Sequence, residues 1–201
     1  MRRHEIDADY AADAPLLRQA WRKLDLGLWL SPVARHLRPA PGSRVLDVGA
    51  GAGQLAAWFQ ERGYRVTAVE PVSALWDIEG LAPVSDYLPR LSRVSGSFAL
   101  ITCVGVLHHL PPGGQRAALS RMAALLHPGG KLVIGARHGP GPRPLWPIRA
   151  HELVHPSLCQ VAKTRKMSIQ PANRTAHVRW TWIVSQKREL QRPDAEYRAA
   201  P

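Results

Sequence analysis

The stretch Val45-Leu46-Asp47-Val48-Gly49-Ala50-Gly51-Ala52-Gly53 decides how this chain folds. Its first half is a short apolar run suited to a buried strand, beginning at Arg44. Its second half sets glycines at 49, 51 and 53, and Gln54–Arg62 beyond them reads as a helix. Gly63 is well placed to end that helix in the left-handed conformation. Strand, glycine turn and helix in that order open a βαβ unit. Glycines let the backbone turn tightly and let a ligand approach it closely. The helix beyond begins with free N–H groups and a positive dipole end, suited to a carboxylate or phosphate.

Three features narrow what the turn would hold. Asp47 sits on the strand two positions before the first glycine. It would repel a pyrophosphate and welcome an ammonium group, directly or through water. The dinucleotide fingerprint needs a third glycine at position 54, and Gln54 stands there. Glu70 ends the next strand candidate, Arg65–Val69, where a carboxylate can accept both ribose hydroxyls. A pocket that wants a ribose and an amino acid, with no pyrophosphate, matches the make-up of S-adenosylmethionine. A nicotinamide-dependent oxidoreductase is disfavoured by the same Gln54 and Asp47.

Outward from this unit, residues 1–40 read as a helical cap, with Leu16, Leu17, Trp21 and Leu24 as its apolar positions. Ser31-Pro32 predicts an N-cap and a short helix to about Leu37. Downstream, residues 73–82 allow a short helix and Val84 a short third strand closed by Pro89. Phe98–Val104 is a fourth strand, Gln115–Leu126 a helix, and Lys131–Ala136 a fifth strand after the break at His127-Pro128-Gly129-Gly130. Alternating strands and helices predict a mostly parallel sheet with helices on both faces. Prolines at 140, 142, 144 and 147 mark a loop, and residues 151–162 are expected to form a helix. Lys166–Gln170 and His177–Gln186 then read as an antiparallel pair of edge strands. In the second, Val178, Trp180, Trp182 and Val184 share one face. Trp180 and Trp182 read as core. One domain over 1–201 is expected: a cap at 1–40, a cofactor-binding core at 41–138, a substrate-side segment at 139–190, and a disordered tail at 191–201.

Composition excludes whole classes. With 45% hydrophobic residues the chain is neither disordered nor low-complexity. Its two cysteines, Cys103 and Cys159, are too few for a disulfide framework or a structural zinc site, and no metal is expected. No run of about 18 apolar residues is present to span a bilayer. After Arg2 and Arg3, the segment His4–Asp9 stands where a signal peptide would be apolar, so a cytoplasmic setting is expected. The net charge of +12 leaves nucleic acid open as a partner. Residues 137–201 hold 12 Lys plus Arg against 4 Asp plus Glu. The cations are nearly all arginine, alongside many prolines, glycines and alanines, a skew that GC-rich coding also produces.

In these motifs the chain resembles the class I S-adenosylmethionine-dependent methyltransferases, in particular their small-molecule branch. Asp47–Gly53 resembles the family's D/E-x-G-x-G-x-G, and Glu70 its ribose-binding acid. Val84–Pro89 is similar to the segment whose Asp bonds the adenine amino group, which places that role on Asp86. Val104-Gly105-Val106-Leu107-His108-His109-Leu110 resembles the run after strand four, and His127–Leu132 the run before strand five. The resemblance implies a Rossmann-like, doubly wound, seven-stranded sheet of order 3-2-1-4-5-7-6, its last strand antiparallel. Strand four opens with Phe98-Ala99, where the family has Phe-Asp.

The resemblance implies cofactor contacts from Asp47, Gly49, Ala50, Gly51, Gly53, Glu70, Pro71, Asp86 and Tyr87, with Cys103 and Val104 as the floor and Tyr10 folding over. His108 is the candidate catalytic base, since a histidine of near-neutral pKa can take an acceptor's proton. The bland reading of His108 and His109 is a loop that packs on the cofactor. Alignment of nucleophile, methyl and sulfur supplies much of the acceleration in such a displacement, so no base is obligatory. The expected reaction is methyl transfer to a small-molecule O, N or C nucleophile. Two alternatives stand beside it: a nucleic-acid methyltransferase, and a scaffold that keeps the cofactor pocket without turnover.

Overall fold

The computed structural model describes residues 3–141, 143 and 145–189. Helices α1 (Arg3–Arg22) and α2 (Leu26–Leu30) lead into a 3-10 turn at Ser31–His36. There follow β1 (Arg44–Val48), α3 (Gln54–Gln60), β2 (Arg65–Val69), β3 (Phe98–Val104), α4 (Pro112–Leu125) and β4 (Leu126–His138). The last elements are β5 (Leu158–Met167), α5 (Pro171–Thr175) and β6 (Arg179–Lys187). The sheet order is β2-β1-β3-β4-β6-β5. The first four strands run parallel, and β6 is antiparallel to both β4 and β5.

The strands alternate between two apolar layers, as the period of two requires. On one face, Leu46, Val48, Ile101, Cys103, Leu132, Ile134 and Ile183 pack with Ala118, Leu119 and Met122 of α4. On the other, Val45, Leu100, Val133, Trp182 and Val184 pack with Leu55 and Phe59 of α3 and with Leu30, Val33 and Leu37. Asp47 falls on this second face by the same alternation.

Several expectations are corrected. The sheet has six strands. The third strand expected at Val84 is a single parallel bridge to Val69 beside β2. The segment after it is shaped by side chains: Arg121 of α4 donates to the carbonyls of Arg90, Leu91 and Val94. The helix expected at 73–82 is one turn, Ser73–Leu75. The break at His127–Gly130 is a bulge inside β4, where Leu126 still pairs with Phe98 and Lys131 with Leu100. There a Cβ on Gly130 would lie 2.9 Å from the carbonyl oxygens of His127 and Phe98. The short helix from Ser31 is 3-10, and Ser31 does not cap it; its hydroxyl donates back to Leu28 O, while Asp25 caps α2. No helix forms at 151–162. That region enters β5, and the strand expected at Lys166–Gln170 is the end of β5 and the turn beyond it. The tail at 191–201 lies outside the described residues. Among the described residues no helix is long and apolar enough to cross a membrane.

Candidate active site

The C-terminal ends of the parallel strands open into one cleft of about 1140 Å³, roofed by α1, α2 and the segment around Arg143. Small-ligand pockets run to roughly 300–1,000 Å³, so there is room for a cofactor and a second molecule. Asp47, Gly49, Ala50, Gly51, Glu70, Pro71, Asp86, Tyr87, Val104, Tyr10 and His108 all line it. Gly53 and Cys103 do not. Gly53 lies behind the turn against Trp76 and Ile78, and Cys103 faces the α4 layer with no exposure. Burial pushes the Cys103 thiol well above its ordinary range.

The glycine turn is shaped by close neighbours. Gly49 and Gly51 have φ of +70° and +58°, a region that L side chains rarely adopt. A Cβ on Gly49 would lie 2.3 Å from Val106 Cγ2, and one on Gly51 would lie 2.9 Å from the Trp21 ring. Trp21 of α1 therefore sits directly on the turn.

Three buried carboxylates face this end of the cleft. Asp47 pairs in register with Thr102 of β3, whose hydroxyl donates to Asp47 Oδ1 at 2.7 Å. Oδ2 has no partner among the described residues. Burial pushes the Asp47 pKa up to about 6, against the Thr102 hydrogen bond, which lowers it. Glu70 receives the Gly51 N–H on Oε2 at 2.8 Å and the Val72 N–H on Oε1 at 2.9 Å. Burial dominates these bonds, and its pKa rises to about 7. Asp86 accepts from the N–H groups of Tyr87 and Arg93, which ties down the loop after the Val84 bridge.

The opposite end is built from the 3-10 turn Leu107–His109 and the ends of β4 and β6. His108 is 4% exposed, with Nδ1 unpartnered among the described residues. Burial first, then His109, Arg137 and His138, push its pKa down to about 3. Burial and Arg143 bring His109 down to about 4. Both imidazoles are neutral at physiological pH. The Tyr10 hydroxyl is 3.0 Å from His109 Nε2, and the Arg143 guanidinium lies 4.0 Å over the Tyr10 ring. Arg143 also donates to Asp9 O and pairs with Asp13, so α1 is fastened across the cleft. The backbone N–H of Trp146 donates to His108 O at 2.7 Å.

Sequence reasoning passed over Trp21, Arg143 and Trp146 as site residues. Trp21 appears there only as an apolar position of the cap, and Arg143 and Trp146 sit among prolines with no period to read. Trp180, read as core, belongs to the second apolar layer and also lines the cleft.

The sequence matches the family described as a methyltransferase domain over residues 19–174. The ubiquinone biosynthesis O-methyltransferase of Xanthomonas axonopodis pv. citri (strain 306) is 36% identical over 116 residues, 52% of this chain and 47% of that protein. The chain thus spans about half the length of the curated relatives it matches. The structure of Burkholderia thailandensis 1,6-didemethyltoxoflavin-N1-methyltransferase, with 1,6-didemethyltoxoflavin and S-adenosylhomocysteine bound, superposes with a TM-score of 0.67 at 24% identity. The match covers 94% of this chain and 92% of that one. A TehB-like S-adenosylmethionine-dependent methyltransferase from Corynebacterium glutamicum ATCC 13032 gives a TM-score of 0.64 at 20% identity, over 88% and 99% of the two chains. Both likenesses speak for the fold, and the family match takes in the glycine turn, all three carboxylates and both histidines, so the chain belongs to the methyltransferase-domain family and has the class I S-adenosylmethionine-dependent methyltransferase fold.

Proposed function

We propose that the protein binds S-adenosylmethionine in this cleft and catalyses methyl transfer to a small-molecule O, N or C nucleophile. The observation that carries the reading is the gathering of Asp47, Glu70 and Asp86 around a glycine turn at one end of a cleft whose other end holds neutral histidines. The donor set fits the cofactor. Three carboxylates suit an ammonium group, two ribose hydroxyls and an exocyclic amine, and they oppose any phosphate. When bound, the cofactor supplies an electrophilic methyl group on a positively charged sulfur.

The chain's own residues then have distinct tasks. Asp47 supplies negative potential at the glycine turn, held in place by Thr102. Glu70 accepts the ribose hydroxyls, and Asp86 with Tyr87 binds the adenine edge. Pro71 and Val104 shape the walls, and Tyr10 closes over them. With its pKa near 3, the buried imidazole of His108 is too weak a base to hold the nucleophile's proton at neutral pH, so its part here is to orient the nucleophile through a hydrogen bond. The roof fixes the approach of the nucleophile, and alignment of this kind supplies much of the acceleration in such a displacement.

Calorimetry with S-adenosylhomocysteine tests this. The wild type is expected to bind at about micromolar Kd, near −8 kcal/mol. Glu70→Ala, checked for folding by circular dichroism, is expected to lose more than about 1 kcal/mol. A folded wild type that shows no binding would overturn the reading.

A further inference from the structure

The cleft is divided by charge, and the division says what kind of acceptor fits. The end near β1 and β2 holds Asp47, Glu70 and Asp86, the end near β4 and β6 holds Arg137 and Arg143, and the roof adds Asp7, Lys23 and Asp25. Arg143 is neutralised by Asp13. Arg137 has no carboxylate partner among the described residues; its guanidinium donates to the carbonyls of Gly139 at 3.2 Å and Pro140 at 2.6 Å. Arg137 is half-buried, its pKa is lowered by burial, and an anion beside it would gain charge-assisted hydrogen bonds.

The surroundings of Arg137 are flat and aromatic. Across the β4–β6 ladder it stands directly opposite Trp180, so the two side chains leave the same face of the sheet. Trp180 lines the cleft, is 9% exposed, and its indole N–H has no acceptor among the described residues. Its ring lies against Gly105, where an added Cβ would be 3.4 Å away. Trp146, half exposed at the same end, adds a second indole. A planar guanidinium fork matches a carboxylate through two parallel hydrogen bonds, and indole faces match a planar ring.

We propose that the methyl acceptor is a planar small molecule bearing a carboxylate, which Arg137 binds while the ring packs against the exposed edge of Trp180 and the half-exposed indole of Trp146. This rests on the cofactor reading of the cleft and adds the chemical class of the acceptor. It leaves the neutral imidazole of His108 to meet the nucleophilic atom. It also gives the two ends of the cleft opposite signs, matching a cationic donor with an anionic acceptor.

Calorimetry on the full chain loaded with S-adenosylhomocysteine tests it, with 3-hydroxybenzoate and 3-hydroxybenzamide as probes that differ only in the carboxylate. The benzoate is expected to bind about tenfold or more tightly than the amide, the worth of a hydrogen bond to a charged group. Arg137→Gln is expected to abolish that preference and Arg137→Lys to keep part of it, with S-adenosylhomocysteine affinity the same in all three proteins. Equal binding of the two probes, a preference that survives in Arg137→Gln, or binding of neither overturns the assignment. A wild type that fails to bind S-adenosylhomocysteine removes the cofactor reading, and the assignment with it.

Discussion

At Glu70 two backbone N–H groups and burial pull in opposite directions, and burial wins. The folded protein therefore holds this proton up to a pH of about 7, whereas an ordinary carboxyl loses it near 4.5. Between those values the folded state binds more protons than the unfolded one, so stability falls as pH rises through that window. The expected loss is at most about 3 kcal/mol. Urea unfolding of the wild type and Glu70→Gln between pH 5 and pH 8 checks this, and the variant is expected to lose the part of the decline above about pH 6, the part below it belonging to Asp47 as well. The histidines act with the opposite sign. With His108 near 3 and His109 near 4, the unfolded chain binds more protons below its ordinary histidine pKa of 6.5, and stability falls as pH drops. The two windows overlap and oppose each other between about pH 4.5 and 6.5, leaving the histidine loss uncompensated below that range and the Glu70 loss uncompensated above it; an acid limb near 6.5 from a titrating His108 is not expected in the rate profile.

At the scale of elements, what the sequence showed and what it hid follow from burial. The bounds of β1 and β3 are legible because these strands are interior and apolar, and those of the edge strand β2 because its buried end, Ala68-Val69, runs straight into Glu70-Pro71. The glycine turn and α3 are legible for the same local reasons. β5 is hidden because it is an edge strand with most of its side chains in water, so no period of two survives in Leu158–Met167. The Pro-Gly-Gly run reads as a stop, and only its pairing with β3 shows that it is a bulge. Of the site, the carboxylates and glycines could be read because they sit at strand ends. The roof could not, since Tyr10 meets His109 across 99 positions and Arg143 meets Asp13 across 130. Close packing between elements makes its own prediction. A Cβ on Gly135 would lie 2.6 Å from Val104 Cγ1 and 3.1 Å from Trp182 Cζ3. Gly135→Ala is expected to lower stability by about 1–3 kcal/mol in denaturant unfolding, through overpacking of β4 against β3 and β6.

For the molecule as a whole, the cleft lies between a parallel half that presents acids and a later half that presents bases, with α1 fastened across both. A ligand that contacts the glycine turn and the roof together stabilises the closed arrangement by mass action. S-adenosylhomocysteine at 100 times its Kd is expected to add about 2.7 kcal/mol, seen as a rise in Tm. The same addition is expected to protect the junction of α1 and α2 from limited proteolysis. Asp13→Asn, which removes the partner of Arg143, is expected to keep the rise in Tm and lose part of the protection.

The aromatic layer beneath the acceptor end has an optical consequence. Trp29 meets Trp180 and Trp182 edge-on at 5.6 and 5.4 Å, and those two rings lie 6.0 Å apart at an interplanar angle of 24°. Indoles this close share their electronic transitions, so the cluster absorbs circularly polarised light as one chiral chromophore. Trp180 is at once a member of that chromophore and a wall of the cleft. Occupancy of the acceptor end is thus written into the near-ultraviolet dichroism of the native protein, and an unlabelled sample becomes its own sensor for an acceptor.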